Sequence, residues 1–537
     1  MSTLVELGMR QMSGSIRAEP DWMEMLKNAD ALADWAAEAK SRELTDTEFR
    51  YVLDELAYYS SLHSPGGNVR LSEVDGVWLS DSLIDAETTN GLKEYAAILE
   101  GAPDRQKDWH SVGESRVLNL IDPSLFPLIY SRSKLCRQPC TSPQAALNAG
   151  MPGEFPGLFD KWREALSGSD YYIPIMDDDY TSSYISEEFS WLPSEFRVDD
   201  NGTVTIESYI NNLHPVKHAA LYPIIASVFS KFVPLLEQVV TDLVHPRQPR
   251  VKRLDGEDYR CNGPESEPED DSALRLEELG ERLHEWGEHA TFVRPQTEPF
   301  VSPERPTSPY KLCGRRLQAI VRMSSVELSL ESPSYGGEDW SVAGSANERI
   351  IATGVFFYDV ANIAQSSLQF REAVHDCAFE VSQYDIVMLH KVYGIYASSV
   401  MDEVNFSQEI GDIDIKDGQC VVFPSILQHK MPKLRLADAT KPGHCKMLMF
   451  YFVDPSTRIP STEIVPPQQQ EWYFEDVLAS EPFRSLPHLV VEGIMDKVDF
   501  PISLKEAKQL RMAMAAESDK DRESASTELF EPHYSFE

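Results

Sequence analysis

The chain has 537 residues, and 49 lysines and arginines stand against 87 aspartates and glutamates, a formal net charge of -38 at pH 7. A surface that acidic repels phosphate backbones and anionic lipid, which argues against nucleic-acid binding and membrane insertion. At 42% hydrophobic and 10% aromatic residues the chain has the material for a folded core rather than wholesale disorder.

The seven cysteines, Cys136, Cys140, Cys261, Cys313, Cys377, Cys420 and Cys445, are odd in number and scattered, as suits free thiols in a reducing compartment. Residues 1–6 lack the basic start and apolar run of a leader, so a cytoplasmic location is expected. Residues 22–40 and 46–62 carry apolar side chains three and four apart and predict helices. Thr45 with Glu48 three places on forms a capping box at the second. A third helix is predicted over 209–244, broken near Pro215 and Pro223 and ended by Pro246 and Pro249. Residues 264–271 are acidic and free of apolar side chains, predicting an exposed loop. A short charged helix at 272–289 and a proline-rich connector at 295–309 follow.

Beyond that connector the period changes. Residues 317–323, 325–330, 350–358, 413–415, 419–423 and 446–453 predict strands separated by Pro, Gly, Asp and Asn. Ser503-Leu504-Lys505-Glu506 opens a late helix, and the residues from Asp519 onward look frayed. The predicted class is α+β. An antiparallel sandwich or jelly roll occupies residues 306–480, with a helix-rich region at 1–305 and a helical segment and tail at 481–537.

Several motifs fail. G-x-G-x-x-G, P-loop and G-x-S-x-G patterns do not occur. His284 and His289 are five residues apart, which on a helix turns them away from a shared face. Cys136 and Cys140 have metal-like spacing but no second pair nearby.

The informative stretch begins Tyr335-Gly336-Gly337-Glu338-Asp339-Trp340-Ser341-Val342-Ala343-Gly344 and continues through Asn347-Glu348-Arg349-Ile350. It runs on to Phe423-Pro424-Ser425-Ile426-Leu427-Gln428-His429, Thr440-Lys441-Pro442-Gly443-His444-Cys445-Lys446 and Val453-Asp454-Pro455. Upstream, Asp108-Trp109-His110, Asp122-Pro123-Ser124-Leu125, Ser190-Trp191-Leu192-Pro193 and residues 208–215 belong with it. Over roughly residues 20–515 the chain resembles a large, mostly fungal family of uncharacterised proteins related to the 2-oxoglutarate/Fe(II) oxygenases.

That resemblance implies a double-stranded β-helix whose iron is held by two histidines and a carboxylate. In the family the first His and the carboxylate stand two residues apart in Trp-His-Val-Glu-Gly, and an Arg in Pro-Gly-His-Arg-Lys is the expected partner of the cosubstrate carboxylate. Here those positions hold Ser341, Ala343 and Cys445, and of the metal triad His429 alone remains. A hydroxyl and a methyl do not replace an imidazole and a carboxylate on iron. The expectation is therefore a metal-independent, non-oxidative enzyme with no cofactor, a cyclase or isomerase of secondary metabolism acting on an apolar small molecule. Ser341, His429 and Lys446 are the candidate catalytic groups. Trp340, Ala343, Phe357, Tyr358, Cys445, Tyr209, Asn212 and His214 are the candidate pocket residues. The alternatives are a binding pseudoenzyme, or an oxygenase retaining Fe(II) and 2-oxoglutarate with help from His444, Glu338, Asp339, Glu348 or Lys446.

Overall fold

Four helices dominate the first hundred residues. In α1 (Leu4–Ala18) the Thr3 hydroxyl caps the first turn, and Met9, Met12 and Ile16, spaced for one face, are fully buried. The helix predicted over 22–40 is divided into a single turn at Trp22–Met25 and α2 (Ala29–Ser41), which starts on Asn28. The capping box of α3 (Asp46–Leu62) forms as predicted: Glu48 N–H donates to Thr45 Oγ1 at 3.3 Å, and Thr45 N–H to Glu48 Oε2 at 2.7 Å. Short strands β1 (Arg70–Leu71) and β2 (Trp78–Ser80) precede α4 (Ala86–Glu100).

The computed structural model describes residues 2–19, 21–62, 69–103, 107–112, 115–136, 139–148, 185–252, 293–303, 310–372, 389–394, 407–495, 497–498 and 500–525. The acidic loop and charged helix predicted over 264–289, with His284 and His289, lie outside them, as do Cys261 and Cys377.

The strands that follow are β3 (Asp108–Val112), β4 (Ser115–Ile121), β5 (Ser194–Val198) and β6 (Val204–Ile206). Then come β7 (Arg316–Leu328), β8 (Ser334–Tyr335), β9 (Ile350–Ala361), β10 (Ser367–Glu372), β11 (Gln408–Asp414), β12 (Cys420–Pro424), β13 (Leu427–Lys430), β14 (Leu434–Arg435) and β15 (Gly443–Val453). Ten form one antiparallel sheet in the order β1-β2-β12-β9-β15-β7-β4-β3, with β5 alongside β7 and β6 alongside β5. The segments predicted at 317–323 and 325–330 are one continuous strand, β7. Six of the ten strands, β1–β6, come from the region read as helical, so it is built into the core sheet.

A smaller antiparallel sheet runs β11-β10-β13. β8 and β14 form a separate two-stranded pair, and the smaller sheet is extended by a bridge in which Ser341 and His429 exchange both backbone hydrogen bonds, at 3.1 and 3.0 Å.

The period of two separates the faces of the large sheet. Ala352, Phe356, Leu448, Phe450 and Phe452 pack outward on α5 (Leu221–Val244), whose Phe229 ring lies 5.2 Å from Phe450 and 5.4 Å from Phe452. Gly354 allows that approach, because a Cβ there would meet the Phe232 ring at 2.8 Å. Val355, Phe357, Val421, Phe423, Cys445 and Met447 point the other way and pack against Leu368, Phe370 and Leu427 of the smaller sheet.

The third predicted helix starts only at Leu221, since residues 209–220 are turns; Pro223 sits in its first turn and Pro234 inside it. Among the described residues α5 alone is long and apolar enough to cross a membrane, with a mean hydropathy of 1.4, and 61% of that window is buried within the fold. The chain closes with α6 (Gln470–Ala479), α7 (His488–Met495) and α8 (Leu504–Ala525). Glu506 N–H donates to Ser503 Oγ at 3.3 Å, the predicted cap, and α8 continues to Ala525, beyond where the sequence reads as frayed.

Candidate functional site

The Ser341–His429 bridge fixes the geometry of the site. Residues opposite one another in a hydrogen-bonded antiparallel pair sit about 5.5 Å apart at Cα and project to the same face. His429 is also opposite Phe370 of β10, and its ring lies 4.8 Å from Phe423 of β12. Ser341 and His429 therefore look into the space between the two sheets. Both are half-buried, as is Ala343, so this end of the interior reaches solvent.

Strand register carries the same level across the large sheet, where Phe423 is opposite Thr353, Thr353 opposite Tyr451, and Tyr451 opposite Ile320. One row deeper, Arg322 of β7 is opposite Met449. Cys445 shares this interior face but lies six residues along β15 from Tyr451, about 20 Å towards the other end of the sheet. It is fully buried, and burial pushes its thiol up to about 12, so it is a neutral apolar filler. Phe357 also faces inward, at a level between the two.

The other predicted pocket residues lie elsewhere. Lys446 and Tyr358 are each one residue from an inward-facing neighbour, so the strand period turns both to the outer face. There the Lys446 ammonium pairs with Glu100 of α4 at 2.8 Å and with Asp359 at 3.8 Å. Tyr358 is buried in the outer cluster with Phe356. Trp340 turns away from Ser341, and its ring is covered by Arg371 at 5.0 Å and Lys430 at 5.6 Å.

Tyr209, Asn212 and His214 form a separate structural cluster. The Tyr209 hydroxyl donates to Val465 O at 3.1 Å, and its ring packs on Trp472. Asn212, at φ +66°, donates to Asp122 O at 2.7 Å and accepts from Gln469 Nε2 at 3.0 Å. His214 Nδ1 accepts the Val216 and Lys217 N–H groups at 3.1 and 3.2 Å. Together they dock residues 465–472 rather than line the interior.

The resemblance implies iron and 2-oxoglutarate, which need two imidazoles and a carboxylate converging on one point. His429 and Ser341 face each other, and Ala343 follows two residues on, which leaves one imidazole, one hydroxyl and one methyl. Of the possible substitutes, His444, Glu348 and Glu338 are engaged elsewhere. His444 Nε2 lies 2.9 Å from Asp359 on the outer face. Glu348 is buried, and burial raises its pKa, while its oxygens accept from Ser345 N–H at 2.6 Å, Trp191 N–H at 2.7 Å and Ser190 Oγ at 3.1 Å. Glu338 is exposed and accepts from the Tyr335 hydroxyl at 3.3 Å. Among the described residues no group of three His, Cys, Asp or Glu converges as metal ligands. The donor set does not fit a two-histidine, one-carboxylate centre.

Arg322 and Thr353 are the interior polar groups that the sequence reading passed over. The signal was present, since an arginine inside Leu317-Gln318-Ala319-Ile320-Val321-Arg322-Met323 sits on the face opposite Leu317, Ala319 and Val321.

Fold and site thus define a mixed helix-and-sheet protein whose antiparallel sheets enclose a polar mouth. The chain belongs to the family described as "Protein of unknown function (DUF4246)", whose model matches residues 46–476. None of the curated proteins matches it. Among solved structures it is similar to IDO from Bacillus thuringiensis, at 10% identity and TM-score 0.16, covering 26% of this chain and 50% of that one. It is similar to the selenomethionine-labelled Fe(II)/(alpha)ketoglutarate-dependent dioxygenase TqaL, at 8% identity and TM-score 0.22, over 72% and 95% of the two chains. A bsmA homolog from Methylobium petroleophilum PM1 matches at 10% identity and TM-score 0.16, over 27% and 44%. The chain thus spans half or less of the first and third of these structures.

Proposed function

We propose that the chain is a metal-independent, non-oxidative enzyme on a degenerate 2-oxoglutarate/Fe(II) oxygenase scaffold, a cyclase or isomerase that folds a small molecule into its reactive conformer. The strand orders support a double-stranded β-helix. In chain order β7, β9, β12 and β15 belong to the large sheet, while β10, β11 and β13 build the smaller one that faces it and β8 and β14 form a separate pair. The observation that carries the reading is the Ser341–His429 pair. The two positions where facing strands would present iron ligands instead present a hydroxyl and a single imidazole. Those groups serve a reaction that needs confinement and one or two hydrogen bonds to a polarised carbonyl, with no redox centre. Recruitment to fungal secondary metabolism is part of the same proposal and rests on the resemblance.

The test is to purify the protein, measure bound iron, and assay succinate release from 2-oxoglutarate with and without added Fe(II). Iron well below one per chain and no succinate are expected. Stoichiometric iron with succinate release would overturn the proposal. A strain lacking the gene should accumulate a compound of the same molecular formula as the missing product. A mass difference of one oxygen between them would point back to oxygenation.

A further inference from the structure

Arg322 stands apart from the other guanidiniums inside the fold. Arg10, Arg17, Arg247 and Arg250 converge on the Asp75 carboxylate at 3.7, 3.1, 3.7 and 2.7 Å. Arg322 has no carboxylate among the described residues within 4.0 Å, and its Nε is sealed from water without a hydrogen-bond partner. The Tyr451 hydroxyl hydrogen-bonds the guanidinium, and Glu338 and Asp122 are its further electrostatic neighbours. Asp122 is held by Arg511 at 2.8 Å, and Glu338 is exposed at the rim. Burial pushes the Tyr451 pKa up, so this phenol is neutral at neutral pH and offers only a dipole.

A second orphan lies on the same face, two strands away across β15 and one row towards the mouth. The Thr353 hydroxyl oxygen is buried without a partner, and register places Thr353 directly across from Tyr451 on the same interior face. A half-buried cation with no carboxylate against it and a buried hydroxyl with no partner are both costly, and a carboxylate supplies what each lacks. Two oxygens match a guanidinium edge and accept from a hydroxyl, whereas a neutral carbonyl leaves the charge uncompensated.

We propose that the mouth binds a ligand through a carboxylate docked on Arg322, with Thr353 and Tyr451 as hydroxyl partners. The apolar remainder of the ligand lies against Phe423 and under His429. The inference rests on the mouth being a ligand site, as in the proposed function, and changes the substrate class from an uncharged molecule to an organic acid.

The probes are decanoate and cinnamate with their primary amides, titrated calorimetrically into the full chain, its Arg322→Met and Arg322→Lys variants, and Thr353→Val. Wild type should bind at least one acid roughly 10- to 100-fold more tightly than its amide. Arg322→Met should erase that difference, Arg322→Lys should keep part of it, and Thr353→Val should lose a smaller factor. Without ligand, Arg322→Met should melt at or above the wild-type temperature, because it removes a charge that no carboxylate opposes. Equal affinity for acid and amide, discrimination that survives in Arg322→Met, or no binding of any probe would each overturn the inference. Equal affinity would leave the mouth standing as a ligand site. Iron-dependent succinate release alongside intact acid–amide discrimination would sink the proposed function alone.

Discussion

Rebuilding the metal site is the most direct test of where the functional centre lies. The perturbation is Ser341→His with Ala343→Glu. Ser341 and His429 form a hydrogen-bonded pair, so two imidazoles there would start from Cα atoms about 5.5 Å apart on one face, close enough to converge on a single ion. The strand period returns residue 343 to that face, and Gly344, at φ +69°, turns the chain immediately afterwards. Glutamate is chosen over aspartate because the ladder ends at Ser341 and a longer arm tolerates the divergence. At an Fe(II) concentration a hundred times the dissociation constant, linkage adds about 2.7 kcal/mol to stability. In a chain of this size that raises Tm by about 2–3 °C. The assay is anaerobic melting with and without Fe(II), combined with iron analysis after desalting. The double variant should gain both the shift and close to one iron per chain, Ser341→His alone should gain less, and adding His429→Ala should abolish both. A folded double variant that neither binds iron nor shifts would show that Ser341 and His429 do not face a common centre.

Two further substitutions test parts of the fold that frame the site. Asp75→Asn removes the carboxylate shared by four guanidiniums, two of them almost fully buried, and should cost about 3–5 kcal/mol in urea unfolding at pH 7, moderated by Glu55 and Glu372, which stay paired with Arg250 and Arg10. Burial opposes ionisation of Asp75, but Arg250, Arg17, Arg247 and Arg10 overcome it and hold the carboxyl well below its usual range. Its contribution is therefore complete above the unfolded pKa and disappears as pH falls through the lower folded value, so the wild-type advantage should be flat from pH 7 to 5 and shrink only below about pH 4; a loss under 1 kcal/mol at pH 7 would refute the account. Lys446→Met should cost about 1 kcal/mol through its pairs with Glu100 and Asp359 and leave ligand affinity unchanged, and a tenfold loss of binding would return Lys446 to the mouth.

The strands were legible because β-branched and aromatic runs bounded by Gly, Pro and Asp announce themselves locally. Helices α1 and α4 were not. Gly8, Ser13, Gly14 and Ser15 in α1 and Thr88-Thr89-Asn90-Gly91 in α4 are weak helix formers. The fold overrides that propensity: Gly14 of α1 packs so closely on the Glu73 backbone that a Cβ would meet its carbonyl oxygen at 2.8 Å. The site was half legible. The candidates included three adjacent pairs, Trp340–Ser341, Phe357–Tyr358 and Cys445–Lys446, and in a strand only one of two neighbours faces inward. Applying that period would have sent Lys446, Tyr358 and Trp340 outside and brought Arg322 inside. Tyr209, Asn212 and His214 were beyond any local pattern, because their partners, Gln469, Val465 and Trp472, lie some 250 residues away.

Arg322 also bears on whether the mouth is a relic or a working site. A site drifting without use has no reason to keep a half-buried cation, since an apolar side chain of similar volume removes the desolvation cost at a stroke. About 20 Å away on the same interior face, Cys445 is such a residue, a neutral and fully buried thiol. At the mouth the opposite holds. Ser341 and Ala343 present a hydroxyl and a methyl, yet a guanidinium lacking a carboxylate and a hydroxyl lacking a partner remain on one face, two strands and one row apart. The surface bears the chain's large negative charge, but at physiological salt fields between exposed charges fade over about 8 Å, so the acidic exterior does not neutralise a sheltered guanidinium or bar an organic acid from it. What remains unopposed at the mouth is one positive charge among aromatic walls, and that combination selects a ligand that is apolar over most of its length and acidic at one end.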